Sequence, residues 1–230
     1  MKIQIGSKQL IFLKKEKKCY LCKKFKMSYS QYTTLRKVKE ELGIEHKSEL
    51  LFPNRVKIAP TDFLMQYFER LKDDKVAYFS EKSRSEAIVF PILNEIRILN
   101  NRRFALYSGP ILDADKDKGL NGECDYILST GEQEQELDIP LFCTVEAKEN
   151  DLKLGTAQCI AQMEGMRIFN ERNKIEPAML FGCVTTGEIW QFIRLENNVA
   201  YIDKHRYYLT DLTELLGGLQ AVIDVVIPKI

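Results

Sequence analysis

Apolar residues recur at helical spacing in five segments of the chain, and residues that favour helix ends flank these segments. The predicted helices run from residue 28 or 30 to 42, from 61 or 62 to about 71, from 83 to 99, from 151 to about 170, and from 211 to 226. Gly43 follows the first helix, where a glycine commonly ends one. Pro91 lies inside the third and predicts a kink or a restart, because proline lacks a backbone N–H.

Other segments are apolar over the length of a strand and are bounded by polar turns. The predicted strands are residues 104–112, 125–129, 140–148, 178–185 and 188–195, and Asn197-Asn198 then turns the chain into a hairpin with residues 199–201. A helix, three strands, a second helix and further strands indicate an α/β fold with a central mixed sheet.

The composition is that of a globular protein, with 45% hydrophobic and 29% charged residues. No apolar run approaches the roughly 18 residues that a membrane-spanning helix needs. The first residues also lack the apolar core of a secretory signal. We therefore expect a cytoplasmic protein without a membrane partner.

The cysteines agree with a reducing compartment. Four of the six lie within apolar strand or helix patterns, where a free thiol behaves as a small hydrophobic group. Cys19 and Cys22 have the spacing of half a zinc site, but no second cysteine or histidine pair follows. An incidental pair is the favoured interpretation.

Charge is distributed unevenly along the chain. Residues 1–60 carry 15 lysines and arginines against 5 glutamates, whereas the remaining residues carry 19 basic and 28 acidic side chains. Aromatic residues are interleaved with the basic ones at Phe12, Tyr20, Phe25, Tyr29 and Tyr32. This pattern suits a polyanion partner, and a solvated lysine-rich face explains it equally well. We place the boundary near Phe79, between a basic, partly helical N-terminal region (1–80) and a core (81–230).

Candidate chemistry lies in the third predicted strand. Side chains alternate across a strand, so Glu146 and Lys148 share one face while Val145 and Ala147 point to the other. Asp125 begins the preceding strand, and pairing of the two strands would bring it to the same edge as Glu146. Two ionised carboxylates about 4 Å apart repel by roughly 4 kcal/mol at an effective dielectric of about 20. Such a pair requires a cation, a shared proton or a nearby lysine, and Mg²⁺ is commonly held by carboxylates together with phosphate.

Further residues within 81–194 accompany this pair in a fixed order: Glu86 on the preceding helix, Gly122-x-x-Asp125, Glu146-x-Lys148, and Gln158 on the following helix. Together these elements resemble the PD-(D/E)XK nuclease superfamily. Each element alone is common in proteins, whereas their order, spacing and placement together are specific. The sequence departs from the family pattern at Cys124, which stands where a proline often precedes the aspartate.

The resemblance implies a fold, a metal and a role for each residue. The implied fold is restriction-endonuclease-like, an α/β three-layer core with a central mixed β-sheet flanked by helices, to which this chain adds a basic N-terminal appendage. Asp125, Glu146 and Glu86 are the implied ligands of Mg²⁺, for which Mn²⁺ can substitute. Lys148 is implied to act at the nucleophilic water. Gln158 is implied to steady this lysine or a phosphate, and Gln162 lies one helical turn further along.

The sequence thus predicts a Mg²⁺-dependent nuclease that hydrolyses phosphodiester bonds in DNA, in restriction, defence or repair. Arg84 and Lys153 are expected to add phosphate contacts, and a nuclease that cuts both strands is expected to act as a homodimer. Two alternatives remain open. One is a nucleic-acid-binding module that keeps the fold without catalysis, and the other is a protein–protein scaffold in which Glu146 and Lys148 only form a strand face.

Overall fold

The computed structural model describes residues 28–73, 75–148, 150–175 and 179–227. The helices are α1 (Leu35–Leu42), α2 (Asp62–Leu71), α3 (Glu81–Arg84), α4 (Phe90–Leu99), α5 (Leu152–Arg172) and α6 (Leu212–Val226). The strands are β1 (Glu45–Glu49), β2 (Ala105–Ser108), β3 (Tyr126–Ser129), β4 (Leu141–Ala147), β5 (Leu180–Thr185), β6 (Ile189–Glu196), β7 (Val199–Asp203) and β8 (Tyr207–Tyr208). Most of the lysine-rich region, with Cys19 and Cys22, lies outside the described residues.

Within the described residues, the strands form one mixed sheet. Their order is β1-β7-β6-β5-β4-β3-β2, and β8 pairs with β6 beside this path. The pairs β1–β7 and β4–β5 are parallel, and the other pairs are antiparallel. Parallel neighbours need a crossover connection, and α5 makes the one between β4 and β5 over one face of the sheet. The predicted α/β fold with a central mixed sheet is confirmed.

Helices cover both faces of this sheet, and an apolar cluster fills each interface. One cluster joins α1 and α5 to the sheet and contains Tyr29 and Ile160. The other lies under α4 and α6 and contains Ile92, Trp190 and Leu216. β4 is buried along its whole length, as expected for a strand that is covered on both faces. In the described part of the chain, no helix has both the length and the apolar composition of a membrane span.

Several helix ends, and the state of four cysteines, are confirmed as predicted. Thr61 and Asp211 cap α2 and α6 by accepting hydrogen bonds from backbone N–H groups of the first turn. Gly43 ends α1 with a φ of 69°, a conformation that favours glycine. The four cysteines of the apolar patterns are buried free thiols, as predicted: Cys124, Cys143, Cys159 and Cys183.

The first helix is shorter than predicted. Thr34, and not Ser28 or Ser30, caps α1 by accepting a hydrogen bond from Lys37 N at 3.2 Å. The residues Tyr29–Gln31 form a separate 3₁₀ turn instead.

The predicted third helix starts at Glu81 and contains a π-helical turn, Ser85–Val89, in the region where Pro91 predicts a kink. Pro91 has no N–H to donate to the carbonyl of Ala87, four residues earlier. The Tyr67 hydroxyl, on α2, donates to this carbonyl at 2.8 Å. The chain therefore continues as α4 with the freed carbonyl paired.

No sequence pattern predicts β1, whose side chains are polar and mostly exposed. It pairs with β7, so the described part of residues 1–80 contributes a strand to the same sheet as the later residues. The short strand β8 also lacks a sequence signal. The division into an N-terminal region and a core near Phe79 stays a prediction.

Candidate active site

Antiparallel pairing of β3 and β4 brings Asp125 beside Glu146. Tyr126, the first residue of β3, pairs with Val145, so the residue before Tyr126 falls opposite the residue after Val145. Asp125 is held in this position because its Oδ2 accepts a hydrogen bond from Ala147 N at 2.7 Å. The structure thus brings together the two carboxylates that the sequence predicts to meet.

Lys148 follows the last residue of β4 and lies among carboxylates. Its Nζ is 2.7 Å from Glu146 Oε1 and 3.6 Å from Glu81 Oε1. Its backbone N–H donates to the Thr185 carbonyl of β5 at 2.8 Å. A Cβ atom placed at Gly155, on α5, would lie 2.9 Å from Lys148 Cγ. A glycine at this position therefore makes room for the lysine between the helix and the strand.

Two glutamines on α5 face the same region and differ in their contacts. Gln162 donates to Glu146 Oε2 at 2.5 Å, and its own Oε1 accepts from the Thr144 hydroxyl at 2.8 Å. Gln158, one turn earlier, is also buried, but its Oε1 has no hydrogen-bond partner among the described residues. Gln162 is thus the residue that holds Glu146, a role that the sequence assigns to neither glutamine.

These side chains line a cleft of about 420 Å³, here called the carboxylate cleft. One wall consists of Asp125, Glu146, Lys148, Gln158 and Gln162. The other lining residues, here called the second wall, belong to the 3₁₀ turn and to the chain before β3: Ser28, Tyr29, Ser30, Asn121, Gly122 and Glu123.

The second wall is held together by hydrogen bonds of the 3₁₀ turn that begins at Tyr29. The backbone N–H of Tyr29 donates to the Asn121 carbonyl at 3.3 Å, and its hydroxyl donates to the Leu112 carbonyl at 3.0 Å. Gly165, on α5, makes room for the tyrosine, since a Cβ atom there would collide with the phenol hydroxyl. Gly122 has a φ of 124°, which favours glycine and shapes the chain between Asn121 and the strand.

The helix before the sheet brings Glu81, and not the predicted Glu86, close to the cleft. Glu86 is exposed, forms an ion pair with a lysine one turn earlier, and does not line the carboxylate cleft. Ser85 faces the sheet, with its hydroxyl 2.7 Å from the Tyr126 hydroxyl, so the next residue in sequence points away. The structure thus does not bring Glu86 together with Asp125 and Glu146, and Glu81 is the glutamate of this helix that reaches Lys148. The expectation that Glu86 is a metal ligand stays a prediction.

Three carboxylates share one ammonium group at this cleft. Burial, reinforced by the charge of Asp125, raises the pKa of Glu146 to about 7. Burial also raises the pKa of Asp125, against the lowering effects of a backbone hydrogen bond and Lys148. Burial lowers the pKa of Lys148, but Glu146, Glu81 and Asp125 outweigh it and move the pKa upward overall. Lys148 therefore stays protonated, and the carboxylates present more negative charge than it balances.

A divalent cation fits this set of donors. Asp125 and Glu146 supply carboxylate oxygens, the ligands that hard cations such as Mg²⁺ prefer. A bound cation would also offset the repulsion between the two carboxylates. In the described ranges, no group of three or more His, Cys, Asp or Glu side chains is arranged to hold a metal ion. Mg²⁺ is usually held by one or two carboxylates together with substrate phosphate and water.

No protein-family model and no curated protein matches the chain. Function is therefore inferred from the geometry and the charges of the carboxylate cleft.

Proposed function

We propose that the protein is a Mg²⁺-dependent nuclease of the PD-(D/E)XK superfamily that hydrolyses phosphodiester bonds in DNA. The convergence of Asp125, Glu146 and Lys148 in one cleft carries this proposal. The two carboxylates face each other on paired strands, and the ammonium group lies 2.7 Å from one of them. A mixed sheet flanked by helices is compatible with the restriction-endonuclease-like fold of that superfamily.

The charge of the cleft explains why a cation is part of the proposal. Asp125 and Glu146 would repel a phosphodiester, and Lys148 alone does not balance their charge. Mg²⁺ held by these two carboxylates would neutralise the scissile phosphate and lower the pKa of the attacking water.

Among the described residues that line the cleft, Lys148 is the positively charged one. Because its pKa is raised above the ordinary lysine value, it is a hydrogen-bond donor and not a base in the cation-free protein. From its position beside Glu146 it can orient the attacking water and stabilise negative charge that develops on the phosphate. Gln162 holds Glu146 from the other side and keeps its carboxylate in the cleft.

Charge outside the cleft supports nucleic acid as the partner. In the sequence, residues 1–27 carry 9 lysines and 1 glutamate, and they precede Ser28, which lines the cleft. A segment of this composition suits a polyanion partner. Binding through such a segment weakens as the salt concentration rises, because counterions compete for the phosphates.

Cleavage of labelled nucleic acids tests the proposal. Single- and double-stranded DNA and RNA are incubated with Mg²⁺, Mn²⁺ or EDTA, using the wild type, Lys148→Ala and the matched control Lys47→Ala. Lys47 is an exposed lysine on β1 and does not line the cleft. We expect cation-dependent cleavage of DNA, a fall in rate on the order of 10³-fold in Lys148→Ala, and no change in Lys47→Ala.

Three outcomes of the cleavage assay would change the proposal. No cleavage by the wild type with either cation would contradict the proposal, and so would an unchanged rate in a folded Lys148→Ala variant. Cleavage of RNA in preference to DNA would correct the substrate and leave the reaction standing. Circular dichroism of each variant establishes that it is folded.

A further inference from the structure

Asn121 presents the nitrogen end of its side-chain amide to the carboxylate cleft. The residue lines the cleft and is only 6% exposed. Its Oδ1 is sealed from solvent and has no hydrogen-bond partner among the described residues. Its Nδ2 also makes no hydrogen bond within the described part of the chain, and this nitrogen is the accessible end of the amide. A hydrogen-bond donor therefore faces the cleft without a partner.

Two buried amides outside the cleft are paired at both ends. Asn170, on α5, donates from Nδ2 to the Leu141 carbonyl at 2.7 Å and accepts from Leu141 N through Oδ1 at 2.9 Å. Asn100, between α4 and α6, exchanges side-chain hydrogen bonds with Gln220 at 2.8 and 3.0 Å. Native proteins rarely leave a buried polar group unpaired, so the sealed oxygen of Asn121 requires an explanation.

The charge of the cleft explains why the nitrogen is the accessible end. Turning the amide over would seal the N–H groups and present the oxygen to a cleft that Asp125 and Glu146 also line. Negative charge favours a donor over an acceptor at this surface. Asn121 Nδ2 nevertheless makes no hydrogen bond to either carboxylate, so it stays available to a ligand.

The second wall adds a hydroxyl donor close to Asn121 in the chain fold. Ser28 Oγ and Ser30 Oγ are 2.7 Å apart, and one hydrogen bond between two hydroxyls leaves the other hydrogen for a further acceptor. Tyr29 N, between these serines, donates to the Asn121 carbonyl at 3.3 Å, so the turn and the loop are joined. Glu123, the acidic residue of this wall, has an exposed side chain.

The accessible groups fit a phosphate better than a base. An asparagine that reads adenine uses both amide ends, one to donate and one to accept. Asn121 cannot do so, because its oxygen is sealed. A phosphodiester presents acceptors alone, and asparagine is among the side chains that commonly contact DNA phosphates.

We propose that Asn121 Nδ2 donates a hydrogen bond to a phosphate oxygen of the DNA strand in the cleft and so positions that strand. This inference rests on the proposed function, which brings DNA to the cleft, and it adds a substrate contact that no sequence motif marks. Each strand of a duplex carries a phosphate about every 3.4 Å along the helix axis. Asn121 can therefore hold a phosphate next to the scissile one.

Binding and cleavage by the full chain test the inference separately. Fluorescein-labelled DNA oligonucleotides of two unrelated sequences are mixed with the wild type, Asn121→Ala, Asn121→Asp or Asn100→Ala in MgCl₂. Binding is read from the fluorescence anisotropy directly after mixing, and cleavage from the later time course. The matched control Asn100→Ala removes a paired amide away from the cleft, so it should lower the melting temperature and leave DNA binding unchanged.

Asn121→Ala is expected to raise both Kd and KM on the order of tenfold, because a hydrogen bond to a charged group is lost. The value of kcat should change by less than about twofold, as expected for a contact made equally in the bound and the transition state. The loss should be the same for both sequences. It should leave the slope of log Kd against log salt unchanged, because no charge is removed.

Asn121→Asp separates a donor from an acceptor at the same position. It keeps the shape of the side chain but replaces the N–H groups with a carboxylate oxygen, so it should weaken DNA binding more than Asn121→Ala does. Both variants keep the backbone bond from Tyr29 N. Because Asn121→Ala removes no side-chain hydrogen bond, its melting temperature should not fall below that of the wild type.

Three results would overturn the inference. One is unchanged DNA binding by Asn121→Ala in a wild type that cleaves DNA, which leaves the proposed function standing. Another is a loss confined to one sequence, which indicates a base contact. The third is DNA binding by Asn121→Asp at least as tight as that of the wild type. Binding that depends on Asn121, in a protein that cleaves no nucleic acid, would support the inference and contradict the proposed function.

Discussion

Buried carboxylates occur at the ends of strands in two regions of this sheet, and their surroundings differ. Asp203, at the end of β7, is fully buried. Its Oδ1 accepts from Leu51 N at 3.3 Å and from His205 N at 3.0 Å, and its Oδ2 accepts from the Tyr207 hydroxyl at 3.4 Å. This carboxylate joins the chain between β7 and β8 to Leu51, and its role is structural.

The carboxylate cleft has too few donors for its acceptors. Asp125 accepts from Ala147 N, and Glu146 accepts from Gln162 and Lys148, while two amide oxygens nearby have no partner. Burial of a carboxylate therefore does not by itself mark a functional site. A shortage of protein donors beside an open cleft is what distinguishes the proposed site, because a ligand would supply the missing positive charge.

The largest effect on stability is expected for Asp203→Ala. The substitution leaves Leu51 N and His205 N without an acceptor, and at about 1–3 kcal/mol for each unpaired group the free energy of unfolding should fall by roughly 4 kcal/mol. Asp125→Ala, the matched change in the cleft, should cost less than half as much, because one N–H loses its acceptor while repulsion with Glu146 is relieved. Urea unfolding at neutral pH measures both. Equal losses would contradict the distinction between the two regions.

The next largest effect is a change with pH in the free energy of unfolding, of about 3 kcal/mol, which we attribute to Glu146. Its pKa rises from an ordinary 4.5 to about 7 in the folded protein, so the folded state holds this proton more tightly than the unfolded chain. The stabilisation is present in full below pH 4.5 and is lost as the pH rises to about 7. Urea unfolding of the cation-free protein at about pH 5 and about pH 8 measures it.

Glu146→Gln supplies the comparison for this pH effect. It removes the titrating group, so its stability should change between the two pH values by about 3 kcal/mol less than that of the wild type. An identical pH dependence in both proteins would show that Glu146 has an ordinary pKa. Addition of Mg²⁺ at the higher pH should recover stability in the wild type and less so in the variant.

The smallest effect is expected for Glu86→Ala. Its side chain is 68% exposed and its ion pair with Lys82, at 3.7 Å, is a surface pair, so stability should change by less than about 0.5 kcal/mol. Cleavage should also be unchanged. Glu81→Ala, the matched change on the same helix, should slow cleavage by roughly tenfold because Glu81 positions Lys148. A larger loss of activity from Glu86→Ala would restore the role that the sequence suggests for it.

Sequence alone was sufficient where a single residue, or the alternation of side chains along one strand, determines the local structure. Gly43 ends α1, and Asn197 and Asn198 form the hairpin with φ values of 48° and 59°. Strand alternation placed Glu146 and Lys148 on one face, and the order of strands placed Asp125 beside them. These signals are local or depend on neighbouring strands, so a single sequence contains them.

Sequence was insufficient where the structure depends on contacts between distant residues, or on the direction in which each side chain leaves a helix. β1 has no apolar alternation, and its pairing with β7 joins residues far apart in the chain. Ser80-Glu81 and Ser85-Glu86 look alike as helix-start signals, and only the packing of the π-helical turn shows which glutamate reaches Lys148. Asn121 has no distinguishing sequence signal, since its burial and its unpaired oxygen arise from the surrounding fold.

The described sheet has edges that discourage extension by another chain. One edge is β1, which exposes Glu45 and Lys47, and the other is β2, which is only four residues long. Short or charged edge strands are poor templates for a strand from a second molecule. Two copies of this chain are therefore expected to associate through helices or loops and not by extending the sheet.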